Sequence, residues 1–351
     1  MQSPPHPERA KTASTGAVVV FALLSVLGVF YAKWDPYFIK LFSVAAHHSL
    51  GTSIISGAHR GAPPASLQAA WSYAVAYFKD IWIALVVGLV MGAGVQTLLP
   101  ETWLVNVLGR AGLKSAGLAA VAAVPSMMCT CCSAPIAVSL KKKEASTGAV
   151  FAYWLGNPLL NPATIVFMGF VLGWNWALLR IVMGAALVAG AVYIGNRWGT
   201  AVPSGLMRPL PDSQSHQGSL VARFLASLAK LSVSLLPEYI VIVGILGAVR
   251  SWLFPAMNPA IGHSLWLMLA LAVAGTLFVI PTAGEIPIVA TLMSYGLGLG
   301  AAGTLMITLP AISLPSMAMV AQAVPKADLM RLAGWVAVVG LATGVVAAIL
   351  L

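Results

Sequence analysis

The chain has 351 residues, of which 60% are hydrophobic and 8% are charged, and its formal net charge is +10. No soluble domain of this length keeps such a composition dissolved, so we predict an all-α polytopic membrane protein. The excess of Lys and Arg is typical of cytoplasmic loops, and no basic patch interleaved with aromatic residues favours nucleic acid as a partner. The predicted partners are membrane lipid and a small substrate, and the sequence leaves open whether the chain forms a homo-oligomer.

The first predicted span covers residues 16–32, after a short polar segment that contains Arg9 and Lys11. It lacks a convincing cleavage site, which favours an uncleaved helix. About 20 apolar residues are enough for a helix to cross a bilayer. By that measure the further predicted spans are residues 81–99, 147–171, 176–195, 237–254, 301–324 and 329–351.

The segment 36–55 is left open as a further crossing, so the expected total is about 7 to 10 membrane segments. Asp80 and Glu238 stand beside the starts of two predicted spans. We interpret both as N-terminal helix caps, because a carboxylate is favourable at a helix N-terminus.

The apolar stretch 113–140 does not fit a simple span, because Pro125 and Pro135 interrupt it. Proline breaks helices, and the backbone groups that it frees survive at membrane depth only inside protein or beside a wet cavity. This stretch also holds every cysteine of the chain: Cys129, Cys131 and Cys132.

The cysteine cluster is the predicted substrate-binding centre, since thiolates are soft ligands for thiophilic metal or metalloid ions. A trivalent arsenical has a soft centre that neighbouring thiolates can capture and release by ligand exchange. A closed zinc site needs four ligands, so three cysteines indicate a transported species. Copper(I) stays compatible, because two or three sulfurs suffice and Met127 and Met128 adjoin the cluster. Packing of the cysteines as small buried hydrophobes is the bland alternative.

The helix predicted over 147–171 contains the motif GNPLLNP. The amides of Asn157 and Asn161 can satisfy carbonyls freed by Pro158 and Pro162, or they can bind substrate. Structural repair is at least as good an interpretation as substrate binding, and we keep both.

A second apolar stretch, 264–299, is interrupted by Pro281 and Pro287. Glu285 lies between these prolines, and an ionisable group in such a stretch is costly unless it faces a cavity or a partner. Glu285 is therefore predicted to line the substrate site, as a candidate carrier of a coupling proton. A solvated carboxylate near the membrane interface is the alternative.

The two interrupted stretches are predicted to be equivalent parts of an internal repeat. A shift of about 150 to 155 residues aligns GAGVQTLLP with GAVRSWLFP and CSAPIAVSL with GEIPIVATL, through prolines and glycines that generic apolar segments do not share. Two halves with interrupted helices at matching positions are typical of a secondary transporter whose substrate site lies at the repeat interface. The predicted hinges are Pro125, Pro135, Pro158, Pro162, Pro281, Pro287, Pro310 and Pro315.

Counting of positive charges favours inverted repeats in which each interrupted stretch is a re-entrant hairpin. With a cytoplasmic N-terminus, that arrangement places Arg110 and the lysines at 141–143 in the cytoplasm. The predicted division is 1–76 for the N-terminal span and an extramembrane segment, 77–196 for repeat 1 with the cysteine hairpin, 197–234 for a cytoplasmic linker, and 235–351 for repeat 2 with the glutamate hairpin.

The proline-flanked cysteine segment, the helix with GNPLLNP, and PTAGEIPIVATL followed by LPAISLPS resemble the bacterial permease family that includes ArsP and YraQ-type predicted permeases. The resemblance covers the chain from about Tyr77 onward. It implies a polytopic inner-membrane permease, and members of that family are implicated in efflux of trivalent organoarsenicals or of copper or zinc. The segment CTCCSAP departs from the more usual arrangement, in which Cys and Gly lie close together before the second proline, so the resemblance does not fix the metalloid.

These observations predict a permease that exports a thiophilic substrate by secondary transport, with trivalent (organo)arsenicals placed ahead of Cu(I), Zn or another soft metal. An enzyme is not expected, since the chain has no phosphate-binding loop, H-E-x-x-H motif, nucleophile elbow or dinucleotide fingerprint, and no cofactor is predicted. A membrane thiol-disulfide oxidoreductase is the alternative of another class, because Cys129 and Cys132 form a C-x-x-C pair. Such enzymes generally need a second cysteine pair or a cofactor to pass electrons on.

Overall fold

The computed structural model describes residues 15–57, 61–99, 101–199, 219–254, 262 and 264–351. In this part of the chain nearly all ordered structure is helical, apart from one isolated bridge between Ser53 and Gly57. Six helical segments of the described chain are long and apolar enough to cross a membrane, which confirms the all-α polytopic class. One of the six, Leu299–Val320, consists of two consecutive short helices. Residues 200–218, the centre of the predicted cytoplasmic linker, lie outside the described residues.

The first membrane-crossing helix is longer than predicted. α1 (Thr15–Val29) continues through a π-helical turn (Phe30–Trp34) into α2 (Asp35–His47), and together they form one rod. Pro36 does not end the rod, because proline is tolerated in the first turn of a helix and Pro36 lies in the first turn of α2. Residues 36–47 are therefore part of the first crossing. Most side chains of the rod face away from the rest of the protein.

Two long helices pack along each other through the centre of the molecule: α3 (Leu67–Leu98) and α10 (Leu220–Leu253). Both helices begin before the predicted spans, which started at residues 81 and 237. Asp80 and Glu238 therefore lie inside the helices. The interpretation of these two carboxylates as N-terminal caps is wrong. Ser66 and Ser219 cap the helices instead, each accepting a hydrogen bond from a backbone N–H of the first turn.

The cysteine hairpin and the segments after it consist of short helices followed by one long helix. A small helical segment, α4 (Glu101–Leu104), precedes them. The predicted span 147–171 is divided at residues 160–161, so neither part alone is long enough to cross. The helices are α5 (Leu113–Ala123), α6 (Thr130–Lys142), α7 (Thr147–Leu159), α8 (Pro162–Val171) and α9 (Trp174–Trp198).

The second half contains the same order of short and long helices after α10. They are α11 (Leu265–Leu277), α12 (Glu285–Ser294), α13 (Leu299–Ala311), α14 (Leu314–Val320) and α15 (Lys326–Leu350). α7 and α13 both have 13 residues, and α9 and α15 both have 25. The internal repeat itself stays a prediction.

The two hairpins approach the centre from opposite ends of the molecule. At the end that carries the lysines at 141–143, here called the lysine end, Ser146 donates a backbone hydrogen bond to Leu108 (2.8 Å). At the opposite end, Gly298 donates one to Gly262 (2.9 Å). The α5–α6 hairpin thus enters and leaves at the lysine end, and the α11–α12 hairpin enters and leaves at the opposite end.

The cysteine hairpin packs so closely against α3 that two glycines of α3 have no room for a side chain. A Cβ atom on Gly88 would lie 2.1 Å from the carbonyl oxygen of Cys132, and one on Gly92 would lie 2.9 Å from that of Pro135. These two glycines let the backbone of α6 lie directly against the backbone of α3. The position of Cys132 is therefore set by the small residues of α3.

Gly88→Ala should destabilise the protein by about 1 to 3 kcal/mol, because the added methyl group forces α6 away from α3. The control is Gly117→Ala in α5, where a Cβ atom meets nothing within 4 Å. That variant should be neutral or slightly stabilising, since alanine favours a helix over glycine. Melting temperatures of the detergent-purified variants test both expectations. Equal melting of the two variants would contradict the close packing of α3 on α6.

Candidate functional site

Four breaks in helices meet at the centre of the molecule. They lie between α5 and α6, α7 and α8, α11 and α12, and α13 and α14. Side chains or backbone from all four breaks line a narrow space, here called the inner cavity: Cys129, Thr130, Pro158, Thr164, residues 280–283, Glu285, Leu309 and Pro310. Its volume is about 10 Å³, room for about one water molecule.

Two of these breaks hold a residue in a backbone conformation that costs energy. Met127 has φ 47° in the first hairpin, and Ala283 has φ 65° in the second. Non-glycine residues with positive φ are strained, and such strain occurs most often at functional sites. Met127 lies two residues before Cys129, and Ala283 lies two residues before Glu285, so the strained turns present both candidate residues.

The predicted hinge prolines fall in four kinds of position. Pro125 and Pro281 lie in the breaks of the two hairpins. Pro158 and Pro310 lie in the last turns of α7 and α13, whereas Pro162 and Pro315 begin the helices that follow. Pro135 and Pro287 lie within α6 and α12 and leave those helices unbroken.

The three cysteines do not form one set of ligands. Cys129 caps α6 and Cys132 lies in its first turn, and their sulfurs are 2.9 Å apart. Cys131 instead accepts a hydrogen bond from Tyr77 (3.4 Å) and lies 3.6 Å from the hydroxyl of Ser313. No three His, Cys, Asp or Glu side chains among the described residues could hold a metal ion together. The closest pair of sulfurs is therefore that of Cys129 and Cys132.

A cluster of buried tyrosines surrounds Cys131. The hydroxyls of Tyr77 in α3 and Tyr239 in α10 are 2.7 Å apart, and both rings are fully buried. Tyr73 stacks on Tyr77 with ring centroids 6.1 Å apart. These tyrosines were not anticipated from the sequence, although Tyr73 and Tyr77 have the four-residue spacing of one helix face.

The amides of GNPLLNP brace the cysteine hairpin. Asn157 accepts a hydrogen bond from the backbone N–H of Met128 (3.2 Å) and donates one to Tyr153 (2.8 Å). Asn161 donates to the carbonyl of Met127 (3.1 Å) and caps α8. Both amides are engaged with the backbone around the first break, and neither lines the inner cavity.

Glu285 forms a buried ion pair with Arg180 of α9. The distance between Arg180 Nη2 and Glu285 Oε1 is 3.1 Å, and both side chains are at most 1% exposed. Arg180 was not singled out from the sequence, because one arginine hardly changes the hydropathy of a long span. A charged residue inside a span is nevertheless a functional signal by itself.

Arg180 also repairs the backbone at two breaks. It donates to the carbonyls of Pro158 (2.9 Å) and Leu159 (3.0 Å), and to that of Met306 in α13. Pro158 and Met306 lie four residues before Pro162 and Pro310, which have no N–H to donate to them. The guanidinium group therefore joins α7, α12 and α13 around one charge.

Two buried oxygens at the inner cavity have no partner among the described residues. They are Oε2 of Glu285 and the hydroxyl oxygen of Thr164. Buried polar groups normally have a hydrogen-bonding partner, which makes these two oxygens unusual. The cavity thus combines the thiol of Cys129 with a carboxylate oxygen and a hydroxyl.

The chain is similar to known predicted permeases along most of its length. The family described as "Predicted permease" (ArsP_1) matches residues 66–349. The chain is 42% identical to the UPF0718 protein YraQ of Escherichia coli over 325 residues, which are 93% of each chain. It is 21% identical to a UPF0718 protein of Methanocaldococcus jannaschii, over 77% of this chain and 92% of the relative. No solved structure matches.

Proposed function

Since the chain belongs to the ArsP_1 family of predicted permeases and is a multi-pass permease of the bacterial inner membrane, we propose that it exports trivalent arsenicals or organoarsenicals by secondary transport. The single observation that carries this proposal is the sulfur pair of Cys129 and Cys132, 2.9 Å apart at the meeting point of four broken helices. Interrupted helices at the middle of a transporter are where substrates bind.

The proposed capture is a ligand exchange at arsenic. The two thiols replace two hydroxyl groups of the arsenical, each thiol giving its proton to the hydroxyl group that leaves as water. Two As–S bonds form, two As–O bonds break, and no electron is transferred. The reverse exchange releases the substrate on the other side.

Two neighbouring thiols suit trivalent arsenic, which is pyramidal and binds sulfurs at adjacent positions. Two-coordinate copper(I) instead holds its sulfurs on opposite sides, and structural zinc takes four ligands. Export of Cu(I), Zn or another soft metal is the second candidate, which the same C-x-x-C pair and the buried Met128 support.

We assign the coupling of transport to Glu285. Its Oε1 is held by Arg180, while its Oε2 faces the inner cavity without a partner. A coupling ion bound there would compete with Arg180 for the carboxylate, and this competition could alternate with substrate binding. We place the lysine end in the cytoplasm, in keeping with the positive-inside rule.

Accumulation in everted membrane vesicles tests the proposal. Vesicles with the wild-type chain should accumulate methylarsenite, phenylarsenite or inorganic arsenite under an imposed proton gradient, at rates well above vesicles without it. Accumulation of Cu(I) or Zn alone would transfer the assignment to metal efflux. If none of these substrates accumulates and Cys129 and Cys132 exchange disulfides, the function is that of a thiol-disulfide oxidoreductase.

A further inference from the structure

A second and larger space opens beside the inner cavity. It has a volume of about 280 Å³, and Pro281, Thr282 and Ala283 line both spaces. We call it the outer vestibule. It lies toward the end opposite the lysines, between the π-helical turn before α2, the residues at 50–54 and the break before α12.

Lys33 carries a buried positive charge into this vestibule. Its side chain is only 4% exposed, although most neighbouring side chains of the rod face outward. Lys33 lies in the π-helical turn, and the wider turn of a π-helix often marks a functional site. A peripheral helix thus contributes one charged group to the interior.

The partners of Lys33 are neutral. Its ammonium group donates to the hydroxyl of Thr282 (3.0 Å) and to that of Tyr37 (3.4 Å), and it lies 5.3 Å from the centre of the Tyr37 ring. Lys33 forms no ion pair among the described residues. A buried charge without a counter-charge is costly, so a fold that retains one has a use for it.

The charges around the vestibule leave one positive charge in excess. The charged residues that line it are Lys33, Lys40 and Asp80, two positive and one negative. Asp80 lies within electrostatic range of Lys40 and of Lys79 outside the lining. The carboxylate is therefore matched by neighbouring lysines. The other ionisable groups within electrostatic range of Lys33 are the hydroxyl of Tyr37 and the thiols of Cys129 and Cys132, and none of them is a carboxylate.

We propose that the outer vestibule binds a small anion, with Lys33 as its principal ligand. The ammonium group supplies the charge and one unused N–H donor, and the hydroxyls of Tyr37, Thr52 and Thr282 surround the same space. The ligand chemistry is a carboxylate, thiolate or oxyanion of small size. Such an anion comes from one of two sources, an anionic thiol such as one that carries the exported species, or a free inorganic anion.

Thermal melting of the purified full-length protein tests this site without any transport assay. The probes are reduced glutathione, nitrate and inorganic phosphate, each added as its sodium salt to a medium that contains only a bulky background anion. A bound anion raises the melting temperature in a saturable manner. Wild type should show this rise with at least one probe. In Lys33→Met the anion concentration at half-saturation should rise at least about tenfold, because the variant lacks a charge-assisted hydrogen bond to the anion.

Two further variants control the experiment. Lys33→Arg keeps the charge and should retain the anion-dependent rise. Lys114→Met removes an exposed lysine of α5 at the lysine end, outside the lining, and should behave as wild type. A rise with glutathione alone identifies an anionic thiol as the ligand, and a rise with nitrate or phosphate identifies a free anion. The absence of any rise in wild type, or an equal rise in Lys33→Met, would overturn the proposal.

Discussion

Replacing Cys129 and Cys132 together by serine should abolish arsenical export while the protein still inserts into the membrane. Serine keeps the size of the side chain but offers a hard oxygen in place of a soft sulfur, so it cannot exchange onto arsenic. The two sulfurs lie 2.9 Å apart, which allows both to bind one arsenic atom. The measurement is accumulation of methylarsenite and phenylarsenite in everted vesicles, normalised to the amount of inserted protein.

The single variants and Cys131→Ser locate the binding pair. Cys129→Ser and Cys132→Ser should each lose most of the export, because one remaining As–S bond lacks the second anchor. Cys131→Ser should reduce export less, since a hydroxyl group can replace its sulfur between Tyr77 and Ser313. Normal export by the double variant would rule out the thiol mechanism. A greater loss of export for Cys131→Ser than for Cys129→Ser or Cys132→Ser would show that Cys131 belongs to the binding pair.

Breaking the ion pair of Arg180 and Glu285 should strongly destabilise the folded protein. Glu285→Gln leaves the guanidinium group buried without its counter-charge, which costs about 3 to 5 kcal/mol. Arg180→Met should lower stability by at least as much, because it also leaves the carbonyls of Pro158 and Leu159 without their hydrogen-bond donor. Thermal or denaturant unfolding in detergent measures both losses.

The double variant Arg180→Met with Glu285→Gln separates stability from transport. With both charges removed, its stability should exceed that expected from adding the two single losses, since no lone charge remains. Its transport should nevertheless stay at background, because the carboxylate that binds the coupling ion is gone. Arg197→Met is the control, since Arg197 is exposed in the last turn of α9 and its replacement should change stability by about 0.5 kcal/mol or less. Simple additivity of the losses would contradict a buried, interacting pair.

The sequence indicated which segments carry the site, because prolines and cysteines in apolar stretches are conspicuous. Both stretches are interrupted near the prolines at 125 and 281, and Cys129 and Glu285 line one cavity. The sequence could not show that Cys129 and Cys132 form the closest sulfur pair while Cys131 also contacts Tyr77 and Ser313. These contacts depend on how α6 is oriented against α3, which the contact at Gly88 sets in three dimensions.

Isolated charges and helix ends were harder to predict. Lys33 and Arg180 each lie in a long apolar run, and an average over such a run hides a single charge. Asp80 and Glu238 produced the opposite error, since a carboxylate favours a helix start but both residues lie at exposed positions inside long helices.

The pairing of Arg180 with Glu285 constrains how the protein is made. The two residues are 105 positions apart, so at about 5 to 20 residues per second a ribosome adds Glu285 roughly 5 to 20 s after Arg180. During that interval α9 enters the bilayer with a lone arginine, at a cost of about 2.5 to 3.5 kcal/mol. The carbonyls of Pro158 and Leu159 are already synthesised and can hold the guanidinium group in the meantime. The charge of Arg180 at the centre of the protein is thus neutralised only after Glu285 of the second half has been synthesised.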